Sequence, residues 1–87
     1  YHLFVVRLAP ALRQRVLEEG RRQGLPLSLH YALACHQHPY LIERFGPMAP
    51  LPETELRVAE ILTLPLHPHL PEACLDDVAL RLLPLLG

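Results

Sequence analysis

The chain has 87 residues, with 8 basic and 9 acidic side chains and a formal net charge of −1. That length allows one small domain, and the near-neutral balance lacks the basic face that a dedicated nucleic-acid binder needs. Apolar residues at 51% exclude a disordered chain, no apolar run approaches the ~20 residues of a membrane span, and the lack of any lysine excludes Schiff-base catalysis by this chain alone.

His2 to Leu8 is apolar and β-branched and is bounded by Ala9-Pro10, which predicts a first strand. The near-continuous run Leu3-Phe4-Val5-Val6 predicts burial on both faces or a central place in a sheet. From Pro10 the period turns helical, with Leu12, Val16 and Leu17 on one face and Gly24 as the stop. Glu18 and Arg22 stand at i,i+4 in the favourable order, and Gly20 weakens the last turn by roughly 1 kcal/mol relative to Ala. Leu25 to Tyr31 alternates, predicting a second, half-buried strand with Ser28 and His30 on its polar face.

Ala32 to Pro52 is irregular, with a short helix over Tyr40–Phe45 stopped by Gly46-Pro47. A helix opens at Pro52, with Leu56 and Ala59 as its apolar face, and a third strand runs from Ile61 to Leu66, limited by Pro65 and Pro68. A last helix starts near Pro71, its apolar face formed by Leu75, Val78, Ala79, Leu82 and Leu86. Pro84 is expected to end or kink it near Leu83. The sum is a two-layer α+β domain, β-α-β-α-β-α, with about three strands and helices on one face. The other sheet face has no visible cover and calls for a larger protein or a second copy.

Cys35 and Cys74 make no disulfide framework, and two reduced thiols in the cytoplasm are expected. The chain opens almost inside a strand, with no signal-peptide pattern, as an excised domain would. Six histidines cluster as His30, then His36 and His38 beside Cys35, then His67-Pro68-His69. A zinc site from Cys35, His36, His38 and His67 or His69 is one reading, although no familiar ligand spacing is present. Ser28, His30 and Asp76 or Asp77 supply triad residue types without a nucleophile elbow.

Read in order, these motifs resemble the C-terminal small domain of the DegT/DnrJ/EryC1/StrS aminotransferases, pyridoxal-phosphate enzymes that aminate keto sugars. His2-Leu3-Phe4-Val5-Val6-Arg7 looks like that domain's opening strand. Arg22-Gln23-Gly24-Leu25 followed by Leu29-His30-Tyr31 is similar to its helix end and Gly-Ile…Val-His-Tyr strand. His36 and Pro39 sit where the family often has His and Pro. The segment from Arg57 to Pro68 is similar to the family's Ala-Glu…Leu-Ser-Leu-Pro-Leu-His-Pro nearly residue for residue. Three positions depart: Ala32 replaces a usual Pro, Leu27 a small polar residue, and Gly20 a leucine.

The resemblance implies that the whole chain, 1–87, is one C-terminal small domain of a larger aminotransferase. The large domain of the same polypeptide would carry the lysine and pyridoxal phosphate, and this chain would close the cleft and be inactive alone. His30, Tyr31 and, by position, His36 would contact a sugar substrate, with an amino donor as the second reactant. No nucleic acid or membrane partner is implied. A stand-alone module pairing as a homodimer through the uncovered face is the alternative from a different class.

Overall fold

A computed structural model describes residues 2–87. Proline sets where its helices begin. Pro10 opens α1 (Pro10–Arg22), Pro39 opens α2 (Pro39–Phe45) and Pro52 opens α3 (Pro52–Glu60), while α4 (Glu72–Leu86) starts directly after Pro71. The missing N–H is no loss in a first turn, and the fixed φ is already helical. None of the four carries a side-chain N-cap bond. Two glycines with positive φ, Gly24 (81°) and Gly46 (82°), turn the chain out of α1 and α2. Contrary to expectation, α4 continues through Pro84 to Leu86. Only two helical residues follow the proline, and Arg15 in α1 donates to Leu85 O at 3.2 Å, tying down the last turn. None of these helices is long and apolar enough to cross a membrane.

Strands β1 (Phe4–Arg7) and β2 (Ile61–Leu64) pair antiparallel, with Phe4 opposite Leu64 and Val6 opposite Leu62. The expected second strand over Leu25–Tyr31 is reduced to one bridge, Ser28 to Thr63. Ser28 N–H donates to Thr63 O at 3.1 Å, and Thr63 N–H donates to Ser28 O at 2.9 Å. Pro26 has no N–H to offer a ladder, and Leu27 N–H turns back to Leu25 O at 2.9 Å. The α+β class therefore holds with a two-stranded sheet in the order β-α-α-α-β-α. The central position belongs to β2, flanked by β1 and Ser28. β1 is an edge strand, and Phe4 and Val5 stand 52% and 43% exposed rather than buried.

Residues opposite one another in an antiparallel pair share a face. Phe4, Val6, Leu62 and Leu64 therefore lie on the inner side, and Val5, Arg7, Ile61 and Thr63 on the outer. Val16 of α1 and Leu62 of β2 are completely buried, in one cluster with Leu17, Leu25, Leu27 and Leu82. The predicted face of α1 is thus the packed one. On α3 the expected face holds at Ala59, which is half-buried with Glu55 and Val58, and fails at Leu56, which is exposed. On α4, Leu82 is buried and Val78 half-buried, but Leu75 is exposed.

Gly20 is also buried, and a Cβ there would collide with Leu27 Cδ1. By the resemblance, Gly20 and Leu27 are two of the departures, one smaller and one larger than expected. The fold brings them into contact, so they form one exchange of volume across the α1–Leu27 interface.

Accessible surface totals 6353 Å², against about 5,200 Å² for a compact chain of this mass. The radius of gyration is 15.3 Å, against about 12 Å for a compact chain of this length. The surplus lies along β1, the outer side of α4 and the arm from Tyr31 to Leu51, where Tyr31, Tyr40 and Phe45 are all largely exposed. No residue from Cys35 to Ile61 is buried.

Arginines connect the elements. Arg13 donates to Ala59 O at 2.9 Å and Arg81 to Gln23 O at 2.9 Å, capping the ends of α3 and α1. Glu60 is held by Arg57 and Arg7, each at 3.0 Å. Arg22 pairs with Glu19 rather than with Glu18, whose side chain takes Gln14 instead. The Arg22 hydrogen bond holds the Glu19 carboxyl at about 2, and Arg57, followed by Arg7, lowers that of Glu60.

Two predictions follow from this packing. In urea unfolding, Gly20→Leu and Leu27→Ser should each cost roughly 2–5 kcal/mol, and the double variant should recover at least half of the summed loss. Additive losses would dissolve the volume exchange. Both lowered carboxylates bind protons more weakly folded than unfolded, so their stabilisation is full above pH 4.5 and is lost as pH falls toward 2. Glu19→Gln or Glu60→Gln should flatten the acid limb of stability against pH. Both carboxylates are half-buried, but their arginine partners are exposed, so 1 M salt should shrink the difference.

Candidate functional site

Thr63, on the outer side of β2, is the one buried polar residue among the described residues. A buried hydroxyl needs a partner, and His30 supplies it: Nδ1 and Thr63 Oγ1 share a 3.0 Å hydrogen bond. The Ser28–Thr63 bridge delivers His30 to this place on the outer face of β2. The chain then turns at once, and Tyr31 stands 69% exposed, its ring edge-on to the His30 imidazole at 5.4 Å. His30 and Tyr31 are thereby brought together, one anchored and one free.

His36 lies in a 3₁₀ turn, Cys35–Gln37, which leads into α2. Its side chain is 10% exposed, and Nε2 stands 3.4 Å from Glu55 Oε1 on α3. That approach lacks hydrogen-bond geometry, and Nε2 has no other partner. The two atoms are close without being hydrogen-bonded. Beside it, Gln37 Nε2 donates to the same Glu55 Oε1 at 3.3 Å, and Ala34 N–H donates to Gln37 Oε1 at 3.1 Å.

His30, Tyr31 and His36 line one side of an open groove of about 540 Å³, with Met48, Leu51, Val58 and Ile61 on the other walls. The lining is almost entirely apolar with these few polar groups, the composition of a small-molecule or docking surface. Another hollow, about 460 Å³ between Leu3, Phe4, Val5 and Leu66, lies away from His30 and contains no titratable side chain.

Other sequence constellations are not assembled. Among the described residues no three His, Cys, Asp or Glu side chains gather as a metal site, which corrects the zinc reading. Cys35, His36 and His38 belong to the arm, whereas His67 and His69 follow β2 in an exposed turn. Both cysteines are exposed free thiols. His30 spends Nδ1 on Thr63, and Asp77 is paired with Arg81 at 3.1 Å on α4, so no triad forms with Ser28. Sequence reasoning missed Thr63 and Glu55. The hydroxyl within the apolar run Ile61-Leu62-Thr63-Leu64 was a usable signal for Thr63. Glu55 had none, because only the fold sets it against His36.

Thr63→Val keeps the shape of the strand and leaves His30 Nδ1 unpaired. In urea unfolding it should cost about 1–2 kcal/mol. In a cycle with His30→Ala the pair should show a coupling of at least about 0.5 kcal/mol. Zero coupling would mean that His30 merely rests against the strand.

The geometry can be set beside the known families. The model of the DegT/DnrJ/EryC1/StrS aminotransferase family matches residues 1–83. The match spans both strands, the bridge at Ser28, His30, Tyr31 and the whole of the His36–Glu55 contact. With all but the last four residues matched, the chain belongs to the DegT/DnrJ/EryC1/StrS aminotransferase family.

Proposed function

We propose that this chain is the C-terminal small domain of a pyridoxal-phosphate-dependent aminotransferase acting on a keto sugar, carried on a nucleotide. In this reading it closes the active-site cleft and lends His30, Tyr31 and His36 to the substrate wall. The observation that carries the reading is a family match over nearly the whole of a chain that contains no lysine. The family's cofactor is held through a lysine Schiff base. These 87 residues cannot supply one, so they do not fit the covalent cofactor site, and no chemical step is assigned to them. The lysine and the phosphate contacts belong to a large domain of the same polypeptide, which is the partner that the surplus apolar surface suits.

Within the wall, Tyr31 is the accessible donor, and its phenol suits a sugar hydroxyl or a diphosphate oxygen. His30 sets the Tyr31 ring and has its own Nδ1 occupied by Thr63. His36 holds the far end of the same segment, with Nε2 turned toward Glu55. The exposed apolar edge at Phe4 and Val5 favours one second reading, a homodimerising interaction module.

The test is amination of nucleotide-linked keto sugars by the full-length enzyme that carries this segment. Tyr31→Phe should lower kcat/KM at least ~10-fold through one lost hydrogen bond while the absorbance of bound pyridoxal phosphate stays unchanged. Full activity in Tyr31→Phe would remove it from the substrate wall. For the 87-residue chain, pyridoxal phosphate with borohydride should label the terminal amine alone. An adduct at one internal position would contradict the division of labour.

A further inference from the structure

The substrate wall stands on a segment that the core does not hold. Its last deeply buried residue is Ala34, 7% exposed. Helix α2 packs on the 3₁₀ turn and makes no comparable contact with α1, α4 or the sheet. The polar contacts that join this turn to α3 converge on one carboxylate. Gln37 Nε2 donates to Glu55 Oε1 at 3.3 Å, and His36 Nε2 stands 3.4 Å from the same oxygen. Gln37 in turn receives the Ala34 N–H at 3.1 Å through its own Oε1. Helix α3, which carries Glu55, runs straight into β2, where Thr63 holds His30. One rigid element therefore fixes both ends of the segment from His30 to Gln37.

We propose that Glu55 is a positioning residue for the substrate wall, acting through Gln37 and His36 to hold the 3₁₀ turn against α3. This rests on the reading that His30 and Tyr31 face substrate. The carboxylate touches no ligand. Its Oε1 accepts from Gln37 and is the polar atom that faces His36 Nε2, a buried nitrogen with no hydrogen-bond partner. Without that oxygen, Gln37 loses its anchor on α3 and His36 keeps a buried polar atom with nothing near it. The turn is then free to leave α3, and Tyr31 loses its place at the groove.

The experiment is amide hydrogen exchange on the 87-residue chain, comparing wild type with Glu55→Ala and Glu55→Gln. The reporters are the amides of Ala34, Gln37 and His38, bonded at 3.1, 2.9 and 3.2 Å. In Glu55→Ala they should exchange at least ~10-fold faster, with α1 and β2 amides unchanged, because the turn opens locally. Glu55→Gln retains an acceptor oxygen and should restore most of the protection. Unchanged reporters in Glu55→Ala, equal acceleration in α1 and β2, or no rescue by Gln would each overturn the proposal. The readout involves no substrate. A failed amination assay would leave the exchange pattern standing, and a failed exchange pattern would leave the Tyr31→Phe assay intact.

Discussion

Helix α1 lays Val16 and Leu17 on the inner face of a sheet of only two strands, where they meet Leu62. The rest of the molecule is arranged around that contact. Seven apolar residues are buried among those described, and a core so small tolerates little rearrangement. Leu25 and Leu27 reach it because the chain turns sharply at Gly24 and returns beneath α1, with Leu25 N–H bonded to Gly20 O at 2.8 Å. Gly20 must then stay small. In this chain Leu27 occupies the volume that a larger residue on α1 would need.

Beyond the core, order is carried by polar contacts between elements. Three arginines, at 13, 15 and 81, donate to backbone carbonyls near the ends of helices other than their own. Guanidinium groups suit the task, since their several donors meet carbonyls with little loss of geometry. The arm from Tyr31 to Leu51 has no such cap, and beyond Ala34 its His36 side chain is well covered, at 10% exposed. Its first stretch, from His30 to Gln37, has a polar contact at each end, with Thr63 on β2 and with Glu55 on α3. A segment built this way can move without disturbing the core, because the two share few contacts.

Much of the fold was legible in the residues. The helix starts at Pro10 and Pro52 and the stops at Gly24 and Gly46 follow from ring and glycine stereochemistry, which act locally. The packed face of α1 follows from its period. The loss of the expected second strand was not legible. The alternation from Leu25 to Tyr31 is real, but Pro26 and the turn back at Leu27 leave a single bridge. The burial of β1 was misread for a similar reason: an apolar run does not say whether it lies at the centre or at the edge, and here β2 took the centre. Leu56 on α3 shows the same limit, since a two-residue spacing cannot say which side of a short helix meets the core.

The sequence by itself determined the family, through motifs in order, and the lack of a cofactor lysine, through composition. It also determined the positions where helices must start and stop, since those depend on one or two residues at a time. Only the tertiary structure decided that Thr63 anchors His30, that Gly20 and Leu27 trade volume, and that Glu55 gathers His36 and Gln37. Each of these joins residues from 7 to 33 positions apart. Such a pairing depends on how elements pack in space, a property no local pattern of side chains carries.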